Sequence, residues 1–165
     1  MFKRKKHNWT IPEGQEPTAF DKKILSYQNQ GFLVPTRKLI KTPEQIEGIK
    51  QSGVINTGVL DLIEQEIHAG MTTEEIDKLV YDYTVSHGAI PAPLNYEGFP
   101  KSVCTSINEV VCHGIPNDCE VLEEGDIINV DVSTIYKGYY SDASRMFIIG
   151  KTTPEKEKLV LVTNA

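Results

Sequence analysis

The stretch IINVDVSTIYKGYYSDASRMFIIG, residues 127–150, has the pattern of a β-hairpin and decides the fold. β-Branched and apolar residues form both arms, and Lys137-Gly138 supplies turn chemistry between them. Asp131 and Asp142 lie within the two arms. If the turn is centred on Tyr136-Lys137, within Tyr136-Lys137-Gly138, a symmetric hairpin places these aspartates directly opposite each other, with Cβ atoms roughly 5 Å apart.

Two facing carboxylates need an explanation, because like charges opposite each other destabilise a sheet and an unpartnered carboxylate in apolar surroundings is costly. One interpretation is structural: each aspartate caps a turn or pairs with a basic residue such as Arg145. Asp131 argues against it, since it lies in mid-strand between two valines. The other interpretation is a divalent cation held between the carboxylates. Such ligands suit Mn²⁺, Fe²⁺, Co²⁺ or Zn²⁺, and two carboxylates that each reach two ions favour a dinuclear centre.

Side chains alternate along a strand, so the arm that carries Asp131 has two different faces. Asn129 and Ser133 are expected on the face of Asp131, as a polar strip beside the metals. The opposite face is expected to contact covering helices, and its residues are Ile128, Val130 and Val132.

Two helices precede the sheet. Thr42 as N-cap and Pro43 at the first helical position predict a helix that ends near Gly70, and a second capped start predicts a helix from Thr72 to His87. The apolar stripe predicted for the first helix is Ile46, Ile49, Val54, Leu60, Ile63 and Ile67.

The remaining elements complete the fold class. Short apolar runs predict strands at residues 103–106 and 109–113, and Thr153-Pro154 begins a last helix. The layout predicts an α+β domain in which helices cover one face of an antiparallel sheet. Within it, His113 lies where a predicted strand gives way to a turn. It is a third candidate for the site, although a lone histidine is more often a satisfied polar residue.

Composition narrows the class further. The chain has 165 residues and 39% hydrophobic residues, as is usual for about one soluble globular domain, and it has no apolar run near the ~18 residues of a membrane span. Three cysteines without a CxxC pair and no export signal predict reduced thiols and a cytoplasmic protein. Residues 1–40 carry eight Lys or Arg against three Asp or Glu, whereas the whole chain has a net charge of −6. This basic arm is either a solvated tail or a contact for RNA, for example at a ribosome; no membrane or DNA partner is indicated.

Two long motifs carry a family resemblance: NYEGFPKSVCTSINEVVCHGIP at residues 95–116 and LEEGDIINVDVSTIYKGYYSDASRMFIIG at residues 122–150. Over residues 38–160 the chain closely resembles type I methionine aminopeptidase of the bacterial kind. The resemblance implies the first αβ half of a pita-bread fold, in which a curved antiparallel sheet covered by helices cradles a dinuclear metal site.

The same resemblance implies roles for individual residues. Asp131 and Asp142 would bind metal, with Asp142 bridging two divalent ions. His113 would contact the substrate and steady the tetrahedral intermediate. The residues implied to line the pocket for the methionine side chain are Tyr96, Phe99 and Cys104.

The implied function is removal of the N-terminal methionine from nascent polypeptides by water activated at two divalent metals. Residues 1–37 would be a basic extension that can be flexible, and residues 38–165 the N-terminal part of the catalytic domain. The family also needs a histidine and two glutamates that no residue after Asp142 supplies, so we expect an N-terminal portion with little activity alone. Two alternatives stay open: a non-catalytic half-domain that binds ribosome or peptide, and an X-Pro aminopeptidase of the same fold.

Overall fold

The computed structural model describes residues 8–163, in a first compact unit that ends at Pro43 and a second that starts at Glu44. The described residues form four α-helices: α1 (Ala19–Asn29), α2 (Pro43–Glu66), α3 (Thr73–Ser86) and α4 (Pro154–Thr163). They also form four strands: β1 (Ile90–Pro91), β2 (Cys104–Ile107), β3 (Ile127–Tyr136) and β4 (Tyr139–Ile148).

The first unit is organised around Asp21, a buried carboxylate at the start of α1. Its side chain and that of Thr18 form a capping box, the Trp9 indole N–H donates to Asp21 Oδ1 at 2.9 Å, and Arg37 forms an ion pair with it. Arg37 also lies 5.2 Å from the centre of the Trp9 ring. These contacts, the hydrogen bond from the Thr18 side chain first among them, lower the pKa of Asp21 to about 2 against the opposing effect of burial. The sequence pattern did not predict this helix, and residues 1–7 of the proposed extension lie outside the described residues.

Both predicted helices of the second unit are confirmed, although the first ends at Glu66 and not near Gly70. In α3 the Thr72 hydroxyl accepts from the Glu75 N–H at 3.2 Å, and the Glu75 carboxylate accepts from the Thr72 N–H at 2.8 Å. This reciprocal pair satisfies two amide groups that have no partner inside the helix.

The predicted apolar stripe of α2 is wrong in its first half. Ile46 is 45% exposed and Val54 is 72% exposed. The inward face is made instead by Gly48, Ser52 and Asn56, followed by Ile55, Val59, Leu60 and Ile63. The helical period was therefore present, but small and polar residues occupy the positions nearest the sheet.

The sheet is antiparallel throughout and centred on β3. Strand β4 pairs along the whole of β3, while β1 and β2 pair with successive parts of its other edge. The strand predicted at residues 103–106 is confirmed as β2 with a shift of one residue. The strand predicted at residues 109–113 is wrong: the Val110 N–H donates to Ile107 O in a turn, and Val111 is 92% exposed.

The hairpin is confirmed, but its predicted register is wrong. Lys137 has φ of 50° and Gly138 has φ of 82°, the left-handed pair that a two-residue type I′ turn requires. Tyr136 therefore pairs with Tyr139, and the centre of the hairpin lies between the two turn residues, further along the chain than predicted. This change moves the cross-strand partner of each residue by two positions, which leaves every side chain on its predicted face.

One face of the sheet carries the core. Ile128, Val130 and Val132 are buried and pack with residues of α2 and α3, as predicted, which confirms the α+β class with helices on one face. The other face of β3 is only partly covered. Within residues 8–163, none of the helices combines the length and apolarity that a membrane crossing requires.

Candidate active site

The two aspartates of the hairpin lie on the same, partly covered face of the sheet. Asp131 pairs with Ser144 and Asp142 pairs with Ser133, so the aspartates are diagonal neighbours and not directly opposed. Diagonal neighbours on one face remain within about 7–8 Å, and long side chains can meet across this separation. Ser133 Oγ donates to Asp142 Oδ1 at 2.7 Å, which orients the Asp142 carboxylate. This hydrogen bond was not predicted; only the shared face was.

Arg145 does not neutralise this pair. It lies on the other face of β4, where its guanidinium binds Asp61 at 2.9 Å and Glu64 at 2.6 Å, both on α2. The structural interpretation in which Arg145 pairs with Asp142 is therefore excluded.

Strand β2 places Cys104 beside Asp131, since the two residues are direct cross-strand partners. Burial and the nearby charge of Asp131 raise the pKa of the Cys104 thiol to about 11. The thiol stays neutral at physiological pH and is a poor nucleophile. Cys104 therefore contributes a small, weakly polar wall, and thiolate catalysis is not indicated.

The loop that carries His113 is fixed against β2. The Thr105 N–H donates to Gly114 O at 3.0 Å, and the Gly114 N–H donates to Ser106 Oγ at 3.3 Å. A Cβ atom at Gly114 would lie 1.8 Å from Thr105 O, so only glycine allows this approach. His113 itself has φ of 58°, a left-handed conformation that is uncommon outside glycine. The loop thereby directs the imidazole into the same cleft as the aspartates.

A second loop closes the cleft from the other side. The Asn95 N–H donates to Phe99 O at 2.8 Å across a short 3₁₀ turn, Tyr96–Gly98. Asn95 and Glu97 both have positive φ, at 66° and 48°. This tight turn presents Tyr96 and Phe99 toward the aspartates, and Tyr96 is 68% exposed at the mouth.

The cleft has a volume of about 780 Å³ and brings together all six residues singled out from the sequence. These are Tyr96, Phe99, Cys104, His113, Asp131 and Asp142. Ser133, expected on the face of Asp131, also lines the cleft. Several other lining residues were not predicted from the sequence, among them Ala92, Pro93, Pro100, Ile115 and Tyr140. Strand alternation could have identified Tyr140, since it lies two residues before Asp142.

The electrostatics of the cleft favour a cation. Burial raises the pKa of Asp131, the Asp142 charge raises it further, and His113 acts in the opposite direction. A divalent ion would offset both the cost of burying the Asp131 charge and its repulsion from Asp142. Carboxylate oxygens suit hard or borderline cations. The two aspartates therefore fit part of a metal site. Within residues 8–163, no group of three or more His, Cys, Asp or Glu side chains is arranged to hold an ion.

Comparison with known proteins agrees with this geometry. Residues 47–165 match the model of metallopeptidase family M24, and this match spans most of the chain. The chain belongs to metallopeptidase family M24, a family of hydrolases that use divalent metal ions.

Within this family the chain is similar to methionine aminopeptidases. It is 49% identical to the methionine aminopeptidase of Escherichia coli (strain K12) over 125 residues, which are 75% of this chain and 47% of that protein. The crystal structure of methionine aminopeptidase from Rickettsia prowazekii superposes with a TM-score of 0.74 and 45% identity, over 76% of this chain and 50% of that one. The crystal structure of X-Pro aminopeptidase from Thermotoga maritima superposes with a TM-score of 0.60 and 30% sequence identity, over 73% of this chain and 32% of that one. The chain spans about half the length of the curated relatives it matches. The similarity to these structures confirms the pita-bread fold expected from the sequence.

Proposed function

We propose that the protein containing this chain removes the N-terminal methionine from nascent polypeptides. The observation that carries the proposal is the cleft that holds both aspartates and His113, in a chain about half identical to methionine aminopeptidases. In this proposal residues 38–165 are the N-terminal part of the catalytic domain. The protein works in the cytoplasm, and its basic arm, residues 1–40, contacts the ribosome.

Asp131 and Asp142 would hold two divalent ions, Mn, Fe, Co or Zn, with further ligands from outside this chain. Bound metal supplies Lewis-acid polarisation of a carbonyl and a water of lowered pKa. Ser133 orients the Asp142 carboxylate through the 2.7 Å hydrogen bond, and both carboxylate oxygens keep lone pairs for a cation.

His113 would act on the substrate. It lines the same cleft as Asp131, and an imidazole N–H there would donate to the carbonyl oxygen of the first peptide bond. A donor placed where negative charge develops stabilises the tetrahedral intermediate.

The walls of the cleft suit a methionine side chain. Tyr96, Phe99 and the neutral Cys104 thiol offer apolar and weakly polar surface, and the flexible, polarisable thioether of methionine adapts to such a pocket. A charged side chain would lose hydration against these apolar walls.

Calorimetric titration with Mn²⁺ tests the metal site in the full-length protein. We expect binding by the wild type, loss of at least one site in Asp142→Asn, and unchanged binding in Asp61→Asn. The latter variant is a matched control, because it removes the same charge from the opposite side of the sheet. Equal binding by wild type and Asp142→Asn would exclude the proposed metal site and favour a non-catalytic binding module.

Peptide hydrolysis tests the substrate. We expect Met-Ala peptides to be cleaved in preference to X-Pro peptides, and His113→Ala to lower kcat/KM by about 10²–10³-fold with Mn²⁺ affinity retained. Preferential release of X from X-Pro peptides would instead support an X-Pro aminopeptidase, which the 30% identity to that enzyme keeps as the alternative.

A further inference from the structure

Helix α2 meets the hairpin through a buried seam that is not apolar. Gly48, Ser52 and Asn56 recur every four residues on one face of the helix, and we call them the polar seam. A Cβ atom at Gly48 would lie 2.4 Å from the Tyr139 ring, so the helix approaches the end of the hairpin closely. Ser52 is 0% exposed and Asn56 is 1% exposed.

Asn56 joins the two strands of the hairpin. Its Nδ2 donates to Val132 O on β3 at 2.7 Å and to Ser141 O on β4 at 3.2 Å. A single planar amide thus fixes the lateral separation of β3 and β4 at this point. The rest of α2 is anchored in the core by Val59, so the amide is held on a rigid element.

The two carbonyl groups that Asn56 binds have particular neighbours. The Val132 carbonyl belongs to the peptide unit that leads into Ser133, and the Ser141 carbonyl to the unit that leads into Asp142. Ser133 and Asp142 are the pair joined on the cleft side by the 2.7 Å hydrogen bond. Asn56 therefore holds, from the helix side, the backbone of both partners in the hydrogen bond that orients Asp142.

Ser52 reinforces the same region one turn earlier. Its hydroxyl donates to Thr134 O at 3.1 Å and shares a hydrogen bond of 2.8 Å with Ser141 Oγ. The polar seam therefore contacts the hairpin both at the peptide units that Asn56 binds and on the side of these units nearer the turn.

We propose that Asn56, assisted by Ser52, is a positioning residue for the Asp142 carboxylate and through it for metal binding. The proposal rests on the proposed function, since it assigns Asp142 to the metal site. Asn56 lies on the helix side of the sheet and does not line the cleft; it sets the separation and tilt of the strands that bring Ser133 and Asp142 together.

Asn56→Leu in the full-length protein tests the proposal, because leucine has the same number of side-chain heavy atoms, branched at the same carbon, and cannot donate a hydrogen bond. Val59→Ala is the control, since it destabilises the same helix without touching the hairpin carbonyls. Two properties are measured for each variant: Mn²⁺ affinity by calorimetry, and hydrogen exchange of the β3 and β4 amides. Each variant is measured at the same number of degrees below its own thermal midpoint, so that differences in overall stability do not enter the comparison.

We expect Asn56→Leu to weaken Mn²⁺ binding about tenfold, as for groups that orient metal ligands, and to speed exchange in the hairpin selectively. Val59→Ala should leave Mn²⁺ affinity unchanged. Unchanged affinity in Asn56→Leu, or an equal loss in Val59→Ala, would overturn the positioning role. If Asn56→Leu does not fold, Ser52→Ala replaces it. We then expect Mn²⁺ affinity to fall several-fold, and an unchanged affinity would contradict the proposal.

A wild type that does not bind Mn²⁺ would refute the proposed metal site, and with it the effect of Asn56 on metal binding. Hydrogen exchange then still decides the structural part independently. Faster exchange confined to the hairpin amides in Asn56→Leu supports the role of Asn56 in joining β3 and β4. Exchange equal to that of Val59→Ala rejects this role.

Discussion

Replacing Gly114 with alanine tests how closely the loop that carries His113 packs against β2. The new Cβ would lie 1.8 Å from Thr105 O and 2.8 Å from the carbon of the same carbonyl. Because both are backbone atoms, no side chain can turn away to relieve the contact. The loop and strand would have to separate by about 1.5 Å to reach ordinary contact distance.

The cost follows from that separation. Overpacking a tight contact costs about 1–3 kcal/mol. The separation also breaks the 3.0 Å hydrogen bond from the Thr105 N–H to Gly114 O, and each lost hydrogen bond costs about 0.5–1.5 kcal/mol. We therefore expect Gly114→Ala to lower the free energy of unfolding by about 2–4 kcal/mol, a large part of the roughly 5–15 kcal/mol typical of a domain.

Urea unfolding followed by circular dichroism measures this loss, with Gly53→Ala as the control. Gly53 lies in α2, and a methyl group added there would have no atom within 4 Å, so alanine should stabilise the helix by about 0.5–1 kcal/mol. An unfolding free energy of Gly114→Ala within about 0.5 kcal/mol of wild type would refute the close packing of the loop, given the usual size of surface effects.

Three further predictions concern other parts of the chain. Gly48→Ala should cost about 1–3 kcal/mol in urea unfolding, because its Cβ would lie 2.4 Å from the Tyr139 ring; unchanged stability would contradict this packing. Thr72→Ala should cost about 1 kcal/mol in thermal unfolding through loss of the α3 cap, and a variant as stable as wild type would show that the cap contributes little. The pKa of Asp21 is about 2, below its ordinary 3.8, so its stabilising contribution is present above about pH 4 and is lost as the pH falls toward 2. The fluorescence of Trp9, the single tryptophan, should report this loss, and Asp21→Asn should abolish the transition.

Much of the fold could be predicted from local patterns. The capping box at Thr72 and the turn chemistry at Lys137-Gly138 act within a few residues, so the sequence displays them directly. Strand alternation likewise placed Asp131 and Asp142 on one face. The face of a side chain depends only on whether its position in the strand is odd or even, so an error of two positions in the register leaves it unchanged.

The rest depends on contacts between distant segments. The exposure of Val54 and the burial of Asn56 follow from the approach of α2 to the hairpin, which no period in α2 alone reveals. The clustering of Tyr96 and His113 in one cleft depends on two loops with left-handed residues, and sequence indicated it only through family resemblance. The helix α1 has a cap at Thr18 but was not predicted, because its flanking charges and prolines obscured the period.

The alternation of side chains between the two faces of the hairpin also determines which substitutions this protein can accept. On β3 the odd-numbered positions face the cleft and the even-numbered ones face the helices, and on β4 this assignment is reversed. A library of single substitutions across the hairpin should therefore sort by parity, with one set altering chemistry and the other altering yield of folded protein. Selection for a new substrate could thus explore every second residue while the scaffold beneath stays intact.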